Sequence, residues 1–178
     1  AALTDIRLPA SITEISAGLF SDCSSLATLE IPDSVTIIGG DAFFGCTSLT
    51  SMTIPDSVTE IGANPFLHSG LQSITLSLDN PNFAVVDGAL VRKADNTLLS
   101  YFCGRQDAAY TIPQGILAIG DNAFAYADSL QSITIPDSVT SIGHSAFLFC
   151  RGLTDVTIPD SVTHISQKAF SCCFQLTS

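Results

Sequence analysis

Four nearly identical nine-residue phrases decide the fold of this chain: IPDSVTIIG (31–39), IPDSVTEIG (54–62), IPDSVTSIG (135–143) and IPDSVTHIS (158–166). A catalytic motif is needed once, because a reaction has one centre, whereas a phrase that returns at fixed spacing indicates a structural module. The prolines of the phrase and its variants are Pro9, Pro32, Pro55, Pro113, Pro136 and Pro159. Successive gaps between them are 23, 23, 58, 23 and 23 residues. This period predicts a solenoid in which each coil stacks only on its neighbours.

Each repeat reads as a short strand, a turn and a return leg. The alternating Ile-x-Ile before the proline predicts a strand with one buried face, and Pro-Asp-Ser predicts a turn in which Asp or Ser bonds the local backbone. Ala-Phe then follows on a single helical turn or a 3₁₀ piece. An aromatic row can form a ligand platform, but the fixed spacing beside alanine favours packing as a buried stack. The residues of this phenylalanine column are Phe20, Phe43, Phe66, Phe124, Phe147 and Phe170.

The composition limits the classes of protein to which the chain can belong. Its 178 residues are 46% hydrophobic and can bury a core, yet no apolar run approaches the roughly 18 residues needed to cross a bilayer. Seventeen acidic residues against six basic ones give a net charge of −11. This charge argues against binding to nucleic acid or to an anionic membrane surface. We therefore expect no nucleic-acid partner and no membrane insertion of this segment.

The repeat unit, IPDSVTxIGxxAFxxCxxLxxIxIP, resembles the BspA-like leucine-rich repeat, also called the Treponema pallidum type, from Leu3 to Leu176. The resemblance implies an α/β to mainly β solenoid, a right-handed and curved array with a parallel sheet on its concave face. It also implies a bacterial cell-surface or secreted protein, and members of the family are linked to adhesion, including binding to host matrix proteins. We interpret residues 1–178 as a single solenoid and a fragment of a longer array, because neither end carries an atypical capping repeat. A signal peptide and a surface anchor are expected in the parent chain.

One segment, 77–112, breaks the period and forms an irregular unit of 36 residues. Asp87-Gly88 predicts a turn, and strands are predicted at 89–91 and 98–101 on either side of a polar turn. The unit carries three of the six basic residues, Arg92, Lys93 and Arg105. Two interpretations stay open. The hairpin is built into the convex or lateral wall, or it protrudes and attracts an acidic or sulfated partner.

The polar and sulfur-containing residues give little support to catalysis. The three histidines occupy different repeat positions, and the sequence holds no nucleophile elbow, metalloprotease motif or phosphate-binding glycine loop. We therefore predict a protein that is not an enzyme and needs no cofactor. Four cysteines share one repeat column and are expected to be buried free thiols, since parallel side chains do not favour disulfide geometry and zinc-ligand spacing is absent: Cys23, Cys46, Cys150 and Cys173. Cys103 and Cys172 lie outside this column, and the sequence predicts no role for them.

An aspartate follows the proline in four repeats: Asp33, Asp56, Asp137 and Asp160. Stacking in register would place neighbouring carboxylates about 4.8 Å apart. Turn formation is the favoured role of these residues, and a calcium ion held between them is the alternative.

The outward side of the predicted strands is the surface that a leucine-rich repeat offers to a partner. The residues two and four positions before each proline point outward by the period-2 rule. Most of these outward positions hold serine or threonine, with charges at the ends. Together with the basic residues of the hairpin, the candidate partner-binding residues are Glu30, Thr53, Thr75, Thr134, Thr157, Asp155, Arg92, Lys93 and Arg105.

Three functions compete for this surface. An interaction or adhesion module that binds a host or microbial protein is favoured. A structural spacer that displays other domains would suit the uniform small residues. A glycan-binding module is favoured by the rows of hydroxyls and disfavoured by the lack of stacking aromatics. Specific interfaces usually centre on aromatic or arginine anchors, and near this face only Tyr110 is a candidate anchor.

Overall fold

The computed structural model describes residues 3–177 and shows a solenoid of about seven coils, built from short strands with almost no helix. The strands at the repeat position before the proline, which is Ser77 in the coil of β5, are β3 (Ser51–Thr53), β5 (Ser73–Thr75), β9 (Ala109–Thr111), β11 (Ser132–Thr134) and β13 (Asp155–Thr157). Those of the return leg are β1 (Glu14–Ile15), β2 (Ile37–Ile38), β4 (Glu60–Ile61), β10 (Ala118–Ile119), β12 (Ser141–Ile142) and β14 (His164–Ile165). The predicted repeat solenoid is confirmed.

Strands of neighbouring coils pair in parallel and in register. Ile133 of β11, for example, lies between Tyr110 of β9 and Val156 of β13. In β3, β5, β9 and β11 the middle residue is buried and the two outer residues are exposed, as the alternation predicts. Residues 28–30 keep this burial pattern, but neither they nor residues 5–7 form a strand. The prediction of strands in the first two coils is therefore wrong, because the backbone ladder that joins β3 to β5 does not reach them.

The serine and threonine of the repeated phrase bond each coil to the coil before it. Ser57 Oγ donates to the carbonyl of Val35 at 2.7 Å, and Thr59 Oγ1 donates to the carbonyl of Thr36 at 3.4 Å. The same bonds recur from Ser34, Thr36, Thr140, Ser161 and Thr163. The predicted local bonding by the serine is wrong, since the backbone closes the turn instead, from Val58 N to the Pro55 carbonyl at 3.1 Å. The phrase recurs because each hydroxyl needs the same acceptor one coil earlier.

The phenylalanine column is confirmed as a stack of rings in the core. Before the irregular unit, the ring centroids of Phe20, Phe43 and Phe66 lie 5.5 and 5.7 Å apart, with planes within 12° of parallel. After it, Tyr101 begins a second stack with Phe124, Phe147 and Phe170, at spacings of 5.3, 5.1 and 5.0 Å. Tyr101 therefore takes the place of the column phenylalanine that the irregular unit lacks.

The prediction of a helical turn around Ala-Phe is wrong. There, Phe43 N donates forward to the Pro65 carbonyl of the next coil at 2.8 Å, whereas Phe44 N donates back to the Asp41 carbonyl at 3.0 Å. The residue two positions after the phenylalanine has a left-handed backbone, as at Gly45 with φ 68°. Because alternate N–H groups bond to the next coil, and a left-handed residue interrupts the run, no helix can propagate.

The irregular unit is part of the wall of the solenoid. Its strands are β6 (Phe83–Val86), β7 (Ala89–Arg92) and β8 (Thr97–Tyr101), followed by a 3₁₀ turn over Cys103–Arg105. They form an antiparallel meander in which β8 also pairs in parallel with β10. The two predicted strands are confirmed and β6 was missed. All five residues of β8 are buried, so the hairpin is built into the wall and the interpretation of a protruding hairpin is wrong.

The core consists of two apolar clusters that meet at this unit. Phe102 belongs to the cluster that begins at Ile15, and the adjacent Tyr101 belongs to the cluster that extends to Ala169. A buried amide links the coils on either side of the unit. Asn64 is 1% exposed, and its Nδ2 donates to the carbonyl of Asn122 at 2.7 Å.

Candidate functional site

A groove of about 830 Å³ lies over the strand face of the first four coils. It brings together three of the predicted partner-binding residues, Glu30, Thr53 and Thr75, and adds Asp5 and Arg7. Its floor includes the side chain of Met52, which is buried at the centre of β3. The groove therefore presents small hydroxyls and charged groups above an apolar floor.

The groove carries more negative than positive charge. Asp5, Glu30 and Asp33 contribute carboxylates to its lining, and Arg7 contributes the one guanidinium. All four side chains belong to exposed residues. A partner that carries positive charge would be attracted to this lining over roughly the 8–10 Å within which salt leaves charges unscreened.

The remaining strand-face candidates lie farther along the same face. Thr134 pairs in register with Thr157, and Ser132 pairs with Asp155. These four residues are exposed, and they form a regular row at about the 4.8 Å spacing of neighbouring strands. The structure thus places Thr134, Asp155 and Thr157 on one surface. None of them lines the groove over the first four coils.

The basic residues of the hairpin are individually paired. Arg92 makes a bidentate contact with Asp95, at 3.0 Å from Nε to Oδ1 and 2.8 Å from Nη2 to Oδ2. This guanidinium lowers the pKa of Asp95 to about 2. Lys93 donates from Nζ to the carbonyl of Asn80. The positive charge of Arg92 is therefore balanced locally by Asp95.

Arg105 lies in the 3₁₀ turn, away from the loop that holds the other two cations. Its Nε lies 2.7 Å from Asp107 Oδ2, which also accepts a hydrogen bond from the Tyr101 hydroxyl at 2.8 Å. Burial, followed by this bond, raises the pKa of Tyr101. Arg105 is therefore on a different element from the adjacent Arg92 and Lys93, and each of the three cations has a partner of its own. Their role in binding remains a prediction.

Tyr110 does not serve as an anchor on the strand face. Its ring points into the core from the middle of β9, is 7% exposed, and contacts the ring of Tyr101 at a centroid distance of 4.9 Å. The prediction of an aromatic anchor near this face is therefore wrong. An aromatic side chain replaces isoleucine here because Tyr101 provides an aromatic partner.

The cysteine column has a structural role that the sequence did not indicate. Cys46 Sγ donates to the carbonyl of Phe20, and Cys150 Sγ donates to that of Phe124, each at 3.1 Å. All six cysteines are free thiols, but Cys23 and Cys173 are only partly buried, so the prediction of burial is wrong for these two. Burial raises the pKa of Cys46 to about 11, so this thiol is a poor nucleophile. Cys103 is placed by similar bonds, to the carbonyls of Tyr101 and Ala125.

The aspartates that follow the prolines are exposed, and Asp56 accepts a hydrogen bond from Asn80 Nδ2 at 3.0 Å. Residues 3–177 contain no group of three or more His, Cys, Asp or Glu side chains that could hold a metal ion. Calcium binding by this ladder remains a prediction. Across the same residues, no helix has both the length and the apolar character that a membrane crossing requires.

A row of partly exposed aromatic rings on the side of the solenoid was missed from the sequence. It consists of Phe44, His68, Tyr126 and Phe149. Three of these residues lie two positions after a phenylalanine of the core column. This constant offset could have predicted the row from the sequence. It did not, because His68 and Tyr126 are 58 residues apart and their coils are not consecutive in the repeat pattern.

The repeated coil and its strand face match a known family. The sequence profile described as the BspA type Leucine rich repeat region matches six copies, over residues 1–84 and 100–178. The chain belongs to the BspA-type leucine-rich repeat family. The resemblance seen in the repeat is thereby confirmed, and the fold of this family serves typically as a non-catalytic interaction scaffold.

Solved structures of bacterial proteins share this BspA-type fold. A leucine rich cell surface protein from Faecalibacterium prausnitzii is 32% identical, with a TM-score of 0.63 over 96% of this chain and 57% of that one. A leucine-rich repeat protein from Eubacterium ventriosum is 28% identical, with a TM-score of 0.81 over 90% of this chain and 43% of that one. The pneumococcal vaccine antigen PcpA, 24% identical with a TM-score of 0.77 over 93% of this chain and 47% of that one, shows the fold alone. The chain spans about half the length of these proteins. No curated protein sequence gives a significant match.

Proposed function

We propose that this BspA-type chain is a non-catalytic adhesion module of a bacterial cell-surface or secreted protein, and that it binds a host matrix or surface protein through the strand face. One observation carries the proposal. The groove over the first four coils gathers Glu30, Thr53 and Thr75 with further exposed charges on a backbone that the stacked coils hold fixed. The short side chains of Thr53 and Thr75 lie on the paired strands β3 and β5, so they lose little conformational freedom on binding, which favours association.

The chemistry of the groove favours a protein over a glycan. Sugar rings are commonly held by stacking on exposed aromatic faces, and among residues 3–177 the lining of this groove includes no aromatic side chain. The excess of carboxylates over guanidinium groups in the lining fits a protein surface that carries lysine or arginine. The expected location on the bacterial surface is supported by the Faecalibacterium relative, which is a cell surface protein.

A lysine substitution in the groove tests this proposal. The chain would be assayed by biolayer interferometry against a panel of host matrix proteins and, in parallel, on a glycan array. With the partner so identified, Thr53→Lys is expected to weaken binding about ten-fold or more, because it places a long side chain in the centre of the contact. Ser21→Lys makes the same chemical change at an exposed residue of the lateral turn and is expected to leave binding unchanged.

The outcomes separate the competing functions. A partner that tolerates Thr53→Lys, Thr134→Lys and Thr157→Lys would contradict binding at the strand face. Serine replacements at Arg92, Lys93 and Arg105 test the hairpin, where slower association with an acidic partner is the expected sign of involvement. Binding to glycans alone would replace the protein partner by a carbohydrate. Binding to neither panel would favour a spacer that displays other domains.

A further inference from the structure

The aromatic side row runs along the solenoid outside the core stack. The ring centroids of His68 and Tyr126 lie 4.9 Å apart, and those of Tyr126 and Phe149 lie 5.0 Å apart. The ring of Phe44 meets Tyr126 edge-on at 6.2 Å. His68 is exposed and the other three residues are partly buried, so the row presents aromatic surface to solvent.

The backbone beneath this row does not favour bulky side chains. His68, Tyr126 and Phe149 have φ angles of 55°, 63° and 58°, a left-handed conformation in which large side chains are uncommon. The same repeat position holds Gly45 in another coil, so the fold does not require a ring there. Aromatic residues at three successive positions of this column therefore call for a reason other than backbone geometry.

An arginine already occupies one end of the row. The guanidinium carbon of Arg151 lies 5.3 Å from the ring centroid of Phe149, within the range of a cation–π contact. Arg151 Nη1 also lies 3.7 Å from Asp128 Oδ2. One end of the row thus already holds a guanidinium, which packs on the ring of Phe149 and lies near the carboxylate of Asp128.

A groove of about 260 Å³ lies one coil earlier, beside the next rings of the row. His68, Tyr126 and Asp128 line it, together with Gln106 and Ser129. Its lining therefore offers rings and a carboxylate, and includes no lysine or arginine among residues 3–177. The chain as a whole carries a net charge of −11, which attracts a cationic ligand.

We propose that this groove binds an arginine side chain from a basic segment of a partner protein. The guanidinium packs against Tyr126 and pairs with Asp128, as Arg151 does with Phe149 and the same carboxylate. Arginine is favoured over lysine because its planar, weakly hydrated guanidinium stacks on rings, whereas an ammonium is a strongly hydrated point charge. The site is separate from the strand face, so it does not depend on the proposed function.

The first test uses a blocked peptide of alternating glycine and arginine, with the lysine peptide of equal length and charge as its counterpart. Binding would be followed by NMR titration of the His68 ring signals, which all the variants retain. The arginine peptide is expected to bind about five-fold more tightly than the lysine peptide, and Tyr126→Asn is expected to abolish this preference. Asparagine tolerates the left-handed backbone, so the variant should fold. Cys172→Asn, in the same column with φ 61°, is the matched control and should bind as the unmodified chain does.

A gain of binding gives the second test. Arg151→Gln removes the internal competitor for Asp128 and is expected to tighten arginine-peptide binding about two- to three-fold. Lys168→Gln changes the net charge equally at another exposed residue and should have a smaller effect. The proposal is overturned if both peptides bind equally, if Tyr126→Asn binds as the unmodified chain does, or if the two glutamine variants gain equally. Equal gains would show that the overall negative charge alone attracts the peptide.

Discussion

The ring of Phe147 shows what one residue contributes to a solenoid. It lies between Phe124 and Phe170 at centroid distances of 5.1 and 5.0 Å, and it is 0% exposed. Its contacts above and below come from the same repeat position in the neighbouring coils. A substitution there removes two stacking contacts at once, and the surrounding coils are held by their own backbone bonds, so the space cannot easily collapse.

We expect Phe147→Ala to lower the free energy of unfolding by about 3–5 kcal/mol, the range for a buried phenylalanine whose removal leaves a cavity. Urea unfolding followed by circular dichroism measures this loss. Phe174→Ala is the control, because Phe174 is 72% exposed and its replacement should change stability by less than about 0.5 kcal/mol. A loss below about 1 kcal/mol for Phe147→Ala would contradict its buried position.

Buried thiols link stability to alkaline pH. Burial raises the pKa of Cys46 from 9.0 to about 11 and that of Cys103 to about 12. The unfolded chain therefore loses these protons first, so the stabilisation is present below about pH 9 and is lost as the pH rises toward 12. The urea midpoint should fall between pH 8 and pH 11. The double variant Cys46→Ala and Cys103→Ala should show a shallower fall, because neither titrating thiol remains, and Ala127 shows that the column of Cys46 accepts alanine. An unchanged slope would exclude these thiols as the cause.

At the scale of single elements, the regular coils could be predicted from the sequence and parts of the irregular unit could not. Strands β7 and β8 follow from alternation around a turn, whereas β6 was hidden because Pro81 and two asparagines precede it and read as loop. The hydroxyl bonds from Ser57 and Thr59 were missed because their acceptors are 22 and 23 residues away. The side row was missed because it depends on a left-handed turn and on the close approach of coils 58 residues apart.

The link across the irregular unit depends on Asn64. Its Nδ2 donates to the Asn122 carbonyl at 2.7 Å, and its Oδ1 accepts from Phe66 N at 3.2 Å. Asn64→Ala would leave the buried N–H of Phe66 and the partly buried carbonyl of Asn122 without this amide, which should lower the free energy of unfolding by about 2–4 kcal/mol. Gln72→Ala removes an amide from an exposed residue and should be nearly neutral in the same urea experiment. A loss of similar size in both variants would show that the bridge contributes nothing of its own.

At the scale of the whole molecule, the irregular unit divides one solenoid into two packed halves. The regular stack of rings ends at Phe66 on one side and resumes at Tyr101 on the other. The apolar clusters of the two halves are distinct and meet through neighbouring residues of the unit. In repeat proteins stability is close to a sum of terms between adjacent coils. A weaker contact at the unit would therefore let the halves open separately.

Hydrogen exchange measured by mass spectrometry can show whether they do. Phe43→Ala removes a ring from the first cluster, and Phe147→Ala removes the equivalent ring from the second. We expect Phe43→Ala to speed exchange mainly in peptides from residues 15–74, and Phe147→Ala to do so mainly in peptides from residues 110–156. The physical reason is that each lost ring weakens the stack of its own half, while the other half keeps its contacts. Equal acceleration along the whole chain in both variants would show instead that Tyr101, Phe102 and the Asn64 bridge couple the two halves into one cooperative unit.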